Sequence, residues 1–592
     1  MPIEGTNRHR TGLRIGVAIL GALFGARLGV VAWGISRGFD LGDGGFFLLN
    51  LNHPESAPPL FEFYRLLTLF DSPPRFDVVG ARWLRLATEA VATALLAAGA
   101  LVWARSRLPG AVTRGGAGIL LFALTGSLLG VGAREFGYND ATNLMTYAAC
   151  AALLFALALP AGATAWRARV GWGLVCGFAL GVQLFVKFPP AILLGAALPA
   201  LALVSMGGGL RERAGFVAAG AAGAGVAILC FALAGGGPAT WAAKLELARE
   251  VNRLTGYGIG RILAVYVHHD IGSHVNLLAM TVAFAAVLGV AWSRLRARPG
   301  GLDTSLAIAL AAAALVLAAG AWSYHADNIH PTLIVLFCSA LFSTGLGLVL
   351  AGAATPEALR WWREVLPVLL LLALLPFVNI VGTNVPLTLR LPTHAFPILL
   401  GLALLAIPLR GRFPRTAAAG AVLLVLATTA AFFEHHWMRP YGIAGPLHTQ
   451  TEPLERVPGL KVDPATRDFL EDLAARMQAA GFEPGDPVVA LDFMPGLVHY
   501  LDARSPGFPF YGFDAIALNC WALNRSPTDE PPFLILGQPM LREQHACIRS
   551  FDFPAQFERV ATLRNPYEQA IRYFFGGPTL SWVEVFGPAS AR

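Results

Sequence analysis

The chain is dominated by blocks of Leu, Ala, Val and Gly, about 17–25 residues each, parted by short gaps that carry arginine. Of its 592 residues, 14% are charged and 55% hydrophobic, whereas a soluble domain carries about 25% charged residues. An ordinary soluble enzyme is excluded, and a polytopic α-helical membrane protein is predicted. The 64 glycines and 40 prolines fit such helices, because neighbouring helices satisfy the backbone groups they free. The net charge of +7 comes from arginine at helix ends, so no nucleic-acid partner is expected.

About thirteen spans are expected, near 14–35, 86–104, 116–134, 142–160, 170–187, 190–207, 214–234, 275–293, 304–322, 329–351, 364–382, 395–409 and 416–434. The first begins after Arg8, Arg10 and Arg14. It is longer than a signal-peptide core, and no A-x-A cleavage site follows it. Every second gap is short and basic, as with Arg105, Arg107 and Arg114, or Arg294, Arg296 and Arg298. Arginine marks the cytoplasmic side, so a cytoplasmic N-terminus in a cell (inner) membrane is expected. The opposite gaps are 36–85, 135–141, 235–274, 323–328 and 383–394. Charges avoid the middle of these spans and no two-half symmetry is visible, which argues against an ion-coupled transporter.

The division is therefore a transmembrane domain, 1–434, and an extracytoplasmic tail, 435–592, that has no long apolar run. Helical spacing over Ala465–Ala480 and short apolar runs near 487–491, 532–537 and 582–586 predict an α/β domain. Cys520 and Cys547 are the two cysteines of the tail. A disulfide and two free thiols both fit the sequence there.

Chemistry concentrates in the outer gaps. The first reads Gly38-Phe39-Asp40-Leu41-Gly42-Asp43-Gly44-Gly45-Phe46-Phe47-Leu48-Leu49-Asn50. It has two carboxylates three residues apart, glycines that permit close approach, and an apolar stretch expected to lie on the membrane as an interfacial helix. The second reads Arg134-Glu135-Phe136-Gly137-Tyr138-Asn139-Asp140, with Asp140 at the start of a span. There a solvated carboxylate favoured by the helix dipole is the plain alternative to a ligand. Lys187 lies in Phe185-Val186-Lys187-Phe188-Pro189-Pro190, a corner joining two spans in a chain that otherwise prefers arginine. A snorkelling lysine is its plain alternative.

In order and sidedness these motifs resemble the GT-C superfamily of membrane glycosyltransferases. The likeness is to its protein O-mannosyltransferase-like branch, which includes the aminoarabinose transferases acting on lipid A. Asp43-Gly44-Gly45-Phe46-Phe47-Leu48 stands for that branch's D-E-G-Y-Y-L pattern, Asn139-Asp140 for its second-loop acid, and Lys187-Phe188-Pro189 for its Lys-Pro corner. The likeness covers residues 14–210 at motif level and the remainder as architecture. The chain departs from the pattern at Gly44, where the family has an acid; Asp40 is the nearest substitute by position.

The resemblance implies an inverting transfer of a sugar from a polyprenyl-phosphate donor to an extracytoplasmic glycan, lipid or protein acceptor. Asp43 would be the base, with Asp40 beside it. Asp140, Asn139 and Lys187 would serve the donor; from their place in the outer gaps Arg390, whose plain alternative is a juxtamembrane anchor, and the outer histidines His269, His325 and His394 are further donor-binding candidates. Tyr324-His325-Ala326-Asp327-Asn328-Ile329-His330 lacks zinc spacing, so a divalent metal is disfavoured. The outer stretch 235–274 reads as an amphipathic helix lying on the membrane. A transporter or flippase, and a non-catalytic envelope-assembly protein descended from a transferase, are the competing readings.

Overall fold

A computed structural model describes residues 5–54, 63–65, 76–107, 122–124, 126, 134–234, 238–254, 259–267, 344, 348, 356–383, 387–407, 414–508, 516–525, 530–539, 546–575 and 579–589. The expected spans at 116–134, 275–293, 304–322 and 329–351 lie wholly or mostly outside these residues. So do His269 and His325.

The long helices are α1 (Gly5–Gly34), α3 (Val78–Arg107), α4 (Tyr138–Ala158), α5 (Ala163–Val186), α6 (Phe188–Ser205), α7 (Leu210–Ala234), α10 (Pro356–Ile380) and α13 (Pro414–Phe433). Between them lie α2 (Asp43–Asn52), α8 (Pro238–Leu254), α9 (Ile259–Val265), α11 (Leu387–Arg390) and α12 (Phe396–Ala406). Among the described residues, eight helices are long and apolar enough to cross a membrane. The chain is accordingly a multi-pass membrane protein. The expected span 395–409 is the shorter α12.

Packing is close where glycines line the contacts. A Cβ on Gly177 of α5 would meet the backbone of Gly220 of α7, and one on Gly223 would meet the Leu174 carbonyl. Small residues let helix backbones approach in this way, and dispersion then holds them. Charge is not confined to the ends of the spans, contrary to the sequence expectation. Arg27 lies inside α1, 4% exposed. It donates to the hydroxyls of Thr428, at 3.1 Å, and Thr429, both on α13, and lies over the Phe432 ring. A buried guanidinium persists here because hydroxyls and a ring face replace its water.

The tail carries a two-stranded pair, β1 (Glu452–Pro453) and β2 (Lys461–Val462), and a four-stranded sheet in the order β3-β4-β6-β5, comprising β3 (Val488–Ala490), β4 (Phe533–Gln538), β5 (Phe557–Arg564) and β6 (Trp582–Pro588). The β3–β4 pair is parallel and the other two are antiparallel. Helix α14 (Pro464–Ala479) buries Phe469, Leu470, Leu473 and Met477. It is capped by Asp463, whose carboxylate accepts from the Thr466 N–H at 3.1 Å. The tail also has α15 (Pro495–Tyr500), α16 (Ile516–Arg525) and α17 (Glu568–Phe575). Strand β5 escaped the sequence reading because Glu558 and Arg559 interrupt its alternation.

Cys520 and Cys547 form a disulfide across 27 positions. Replacing both by Ser is expected to lower the stability of the tail by about 2–4 kcal/mol, because the open loop adds chain entropy to the unfolded state. Thermal unfolding in detergent, with and without reductant, measures this; an unchanged melting temperature on reduction would disprove it.

One expectation about the membrane surface is corrected. Helix α2 does not lie on the bilayer: Phe46, Phe47, Leu48, Leu49 and Leu51 are at most 5% exposed, and α2 packs on α15 of the tail. Gly45 makes this contact close, since a Cβ there would lie 2.2 Å from the Gly496 nitrogen. Helix α8 has the expected amphipathic pattern, yet it meets the tail through Glu250, which accepts from Trp521 Nε1 at 2.8 Å and from Arg525 at 3.2 Å. For α2 the apolar face that sequence assigns to lipid is covered by a distant segment of the tail, whereas α8 touches the tail at Glu250 and Val251 and leaves Leu245 52% exposed.

Candidate active site

The segment that follows α1 is stitched to the tail on either side of Asp40. Gly38 N–H donates to the Lys461 carbonyl at 2.7 Å, and Lys461 N–H to Ser36 at 2.9 Å. Tyr567 Oη donates to the Phe39 carbonyl at 2.9 Å, and Gly496 N–H to Leu41 at 2.7 Å. Gly38 adopts φ +74° and faces Ile443, so both its conformation and its space call for glycine.

Asp40 is 1% exposed. Its oxygens accept from Gly42 N–H at 2.8 Å and Gly44 N–H at 3.0 Å, so it satisfies the start of α2 from outside the helix. Burial, then the charges of Glu135 and Asp43, push its carboxyl well above the usual range. Asp40 thus shapes the loop, while Asp43 is the less buried of the two carboxylates. Asp43 opens α2 and is half-buried. Its Oδ2 accepts from Tyr441 Oη at 2.6 Å, across 398 positions.

Arg390, at the end of α11, hydrogen-bonds Tyr441 and lies within electrostatic reach of Asp43 and Tyr138. Burial opposes its charge, but these three neighbours outweigh burial and raise the guanidinium above its ordinary value. Lys187 sits at the corner between α5 and α6, where Pro189 and Pro190 start the second helix without needing N–H partners. Its Nζ donates to the carbonyls of Asn379 and Ile380 at the end of α10, where the helix dipole favours a cation. Burial, then the Arg390 charge, lower it from 10.5 to about 7.

His394 is 2% exposed, and its Nδ1 lies 2.6 Å from Asn143 Oδ1. That oxygen also accepts from Asn379 Nδ2 at 3.0 Å, while Asn143 Nδ2 donates to Glu89 at 2.8 Å. The amide is thereby oriented from both ends, which assigns the proton to His394 Nδ1 and leaves Nε2 as an acceptor. Burial, Lys187 and Arg390 hold the imidazole well below its ordinary value, so it is neutral near pH 7.

Asp140 is buried and engaged on both oxygens. It accepts from Arg85 Nε at 2.9 Å and from Gly137 N–H at 2.9 Å, closing the start of α4. It is therefore neither solvated nor turned outward. Asn139 hydrogen-bonds Tyr138. Tyr64 lies within electrostatic reach of Asp140, Tyr138 and Asp43. The structure thus brings Asp43, Asp140, Lys187, Arg390 and His394 into one connected cluster. Among the described residues no three His, Cys, Asp or Glu side chains are placed to share a metal ion.

Sequence reasoning missed Tyr441, Asn143, Asn379 and the Arg82–Glu135 pair. Asn143 and Asn379 carried a usable signal, being amides inside apolar spans, where an unpaired polar group is costly. Tyr441 carried a weaker one, standing just past the last span in Arg439-Pro440-Tyr441-Gly442.

No family model matches the chain, and no curated protein matches it. Among solved structures the chain is similar to ArnT from Cupriavidus metallidurans. For the crystal structure bound to undecaprenyl phosphate, the identity is 15% and the TM-score 0.41, covering 97% of this chain and 99% of that one. For the apo crystal structure, the identity is 17% and the TM-score 0.42, covering 96% and 98%.

Proposed function

We propose that the protein is an integral-membrane glycosyltransferase that moves a sugar from a polyprenyl phosphate to an extracytoplasmic glycan, lipid or protein acceptor, with inversion. The observation that carries this reading is Tyr441 bridging a half-buried carboxylate, Asp43, to a half-buried cation, Arg390, with Lys187 beside it. An acceptor hydroxyl needs a base as it attacks. A lipid phosphate leaving group needs fixed cations for its developing charge. The cluster offers both in one place, next to the ends of apolar helices where a prenyl tail is at home. In this reading the N-terminus is cytoplasmic, residues 1–434 form the transmembrane domain, and the tail 435–592 closes the site from outside an inner membrane.

Asp43 accepts the proton of the acceptor hydroxyl as that oxygen bonds to the anomeric carbon. The bond from that carbon to the lipid phosphate breaks on the opposite face. Arg390 and Lys187 hold the departing phosphate. Tyr441 fixes the orientation of the Asp43 carboxylate through its hydrogen bond to Oδ2.

The purified protein in liposomes, given undecaprenyl-phosphate-linked hexoses and pentoses, is expected to release undecaprenyl phosphate. No release from any of them, together with no saturable binding of undecaprenyl phosphate, would overturn the reading. His394 is assigned to hydrogen-bond a hydroxyl of the bound sugar through Nε2. Asn143→Leu frees the ring, and the donor KM is expected to rise about tenfold with a smaller change in kcat, the size of one hydrogen bond. An unchanged KM in a folded Asn143→Leu protein would remove His394 from the site.

A further inference from the structure

Gly44 has no room for a side chain, and what fills the room is a carboxylate from another loop. A Cβ at position 44 would lie 2.3 Å from Glu135 Oε2, 2.8 Å from Glu135 Cδ and 2.8 Å from Asp40 Cβ. Glu135 is 1% exposed. Its Oε1 accepts from Arg82 Nε at 2.8 Å, while Oε2 has no hydrogen-bond partner among the described residues. Arg82, 2% exposed, also reaches Glu135 Oε1 through Nη2 at 2.7 Å and donates to the carbonyls of Ile35, Arg37 and Gly38, each at 2.9 Å. Arg134, next to Glu135 in sequence, donates to Arg37 at 3.0 Å and Gly34 at 2.6 Å.

Two arginines thus hold the five-residue segment that leads from α1 into Asp40, and one carboxylate orients the more deeply committed of them. Unpaired, the Arg82 guanidinium would favour water over three carbonyls; the Glu135 charge keeps it in place.

We propose that Glu135 is the second acid of the first-loop site, delivered from the second outer loop into the space that Gly44 leaves open, and that through Arg82 it positions the segment carrying Asp43. It is a positioning residue, and this role rests on the reading of Asp43 as the base. It also removes the ground for regarding Gly44 as a lost acid in a non-catalytic descendant, since the carboxylate is present but comes from position 135.

The test moves the carboxylate from one loop to the other. An Asp at 44 starts from a Cβ that lies 2.8 Å from the present place of Glu135 Cδ, so Gly44→Asp with Glu135→Ala returns a carboxylate to the neighbourhood of Arg82. In the liposome assay, Gly44→Asp and Glu135→Ala alone are each expected to lower kcat about 100-fold, the usual cost of misplacing a reacting group by about 1 Å. The double variant is expected to regain at least about tenfold over either. Glu135→Gln keeps an acceptor for Arg82 without the charge, and is expected to lower kcat at least about tenfold while the donor KM stays within about threefold.

Full kcat in Glu135→Gln would overturn the proposal, as would a folded double variant no more active than the single ones. If the single variants do not fold, Glu135→Gln decides. If the wild type itself transfers no sugar, the glycosyltransferase reading fails separately, and melting temperatures decide on the shared space. A double variant that melts above both single variants supports it, and additive melting shifts overturn it.

Discussion

Asp43→Asn is expected to abolish sugar transfer, lowering kcat by about 10³-fold or more while undecaprenyl phosphate still binds. The substitution is nearly isosteric. The amide still accepts from Tyr441 Oη through its oxygen, and the backbone N–H groups of Gly42 and Gly44 keep their partner in Asp40. What is lost is the capacity to take a proton. Positioned general bases contribute about 10²–10⁴-fold, and the upper part of that range applies because a sugar or lipid hydroxyl is a weak nucleophile. Tyr441→Phe is expected to cost about tenfold, since it releases the carboxylate from one hydrogen bond and leaves its charge. Initial rates of undecaprenyl phosphate release at saturating donor separate the two. Transfer retained by a folded Asp43→Asn protein would remove the mechanism.

Lys187→Met is expected to lower kcat by about 10²–10³-fold, the cost of losing one preorganised charge at a developing anion. Met keeps the length of the side chain and fits an apolar corner. The same variant checks a dependence on pH. Free Lys187 titrates at about 7 because burial and Arg390 disfavour its charge. A bound phosphate favours that charge and raises the value. Above pH 7, then, the free site has lost a proton that the occupied site regains. Affinity for undecaprenyl phosphate should fall as pH rises beyond 7, by up to about tenfold per unit, the slope for uptake of one proton. Below pH 7 the lysine is charged in both states and this dependence vanishes. Binding measured between pH 7.5 and 9, where the phosphate monoester is already doubly ionised, should show the slope in the wild type and a flat profile in Lys187→Met. A slope that survives the substitution would assign the proton to another group.

Most of the helical frame was legible in the sequence. Apolar runs and arginine gaps are local signals, and nine of the expected spans fall on described helices. The corner at Lys187 and the turn at Asp40–Asp43 were equally legible, because prolines and glycines state their backbone requirements within a few residues. The tail's helix and three of its strands followed from periodicity; β5 did not, for its charged residues face outward in pairs. The roles of individual polar residues were the part that could not be read. Asp40 and Asp43 look alike in sequence, yet one is closed off by two glycine N–H groups and the other is turned to Tyr441. Asp140 looked like a residue exposed to water or donor, and instead it joins Arg85 and the start of its own helix.

By itself, the sequence determined that the chain is a bundle of membrane helices, and which short segments between them hold acids and a lysine. Those properties depend on composition over one turn or one span, where solvent and lipid act on each segment separately. Only the tertiary structure decided which acid is closed off by backbone N–H groups, which is held by Tyr441, and that Glu135 fills the place beside Gly44. These depend on contacts such as Asp43–Tyr441, 398 positions apart, and His394–Asn143, 251 apart. A buried polar group must find its partner wherever the fold brings one, and no local pattern records where that is.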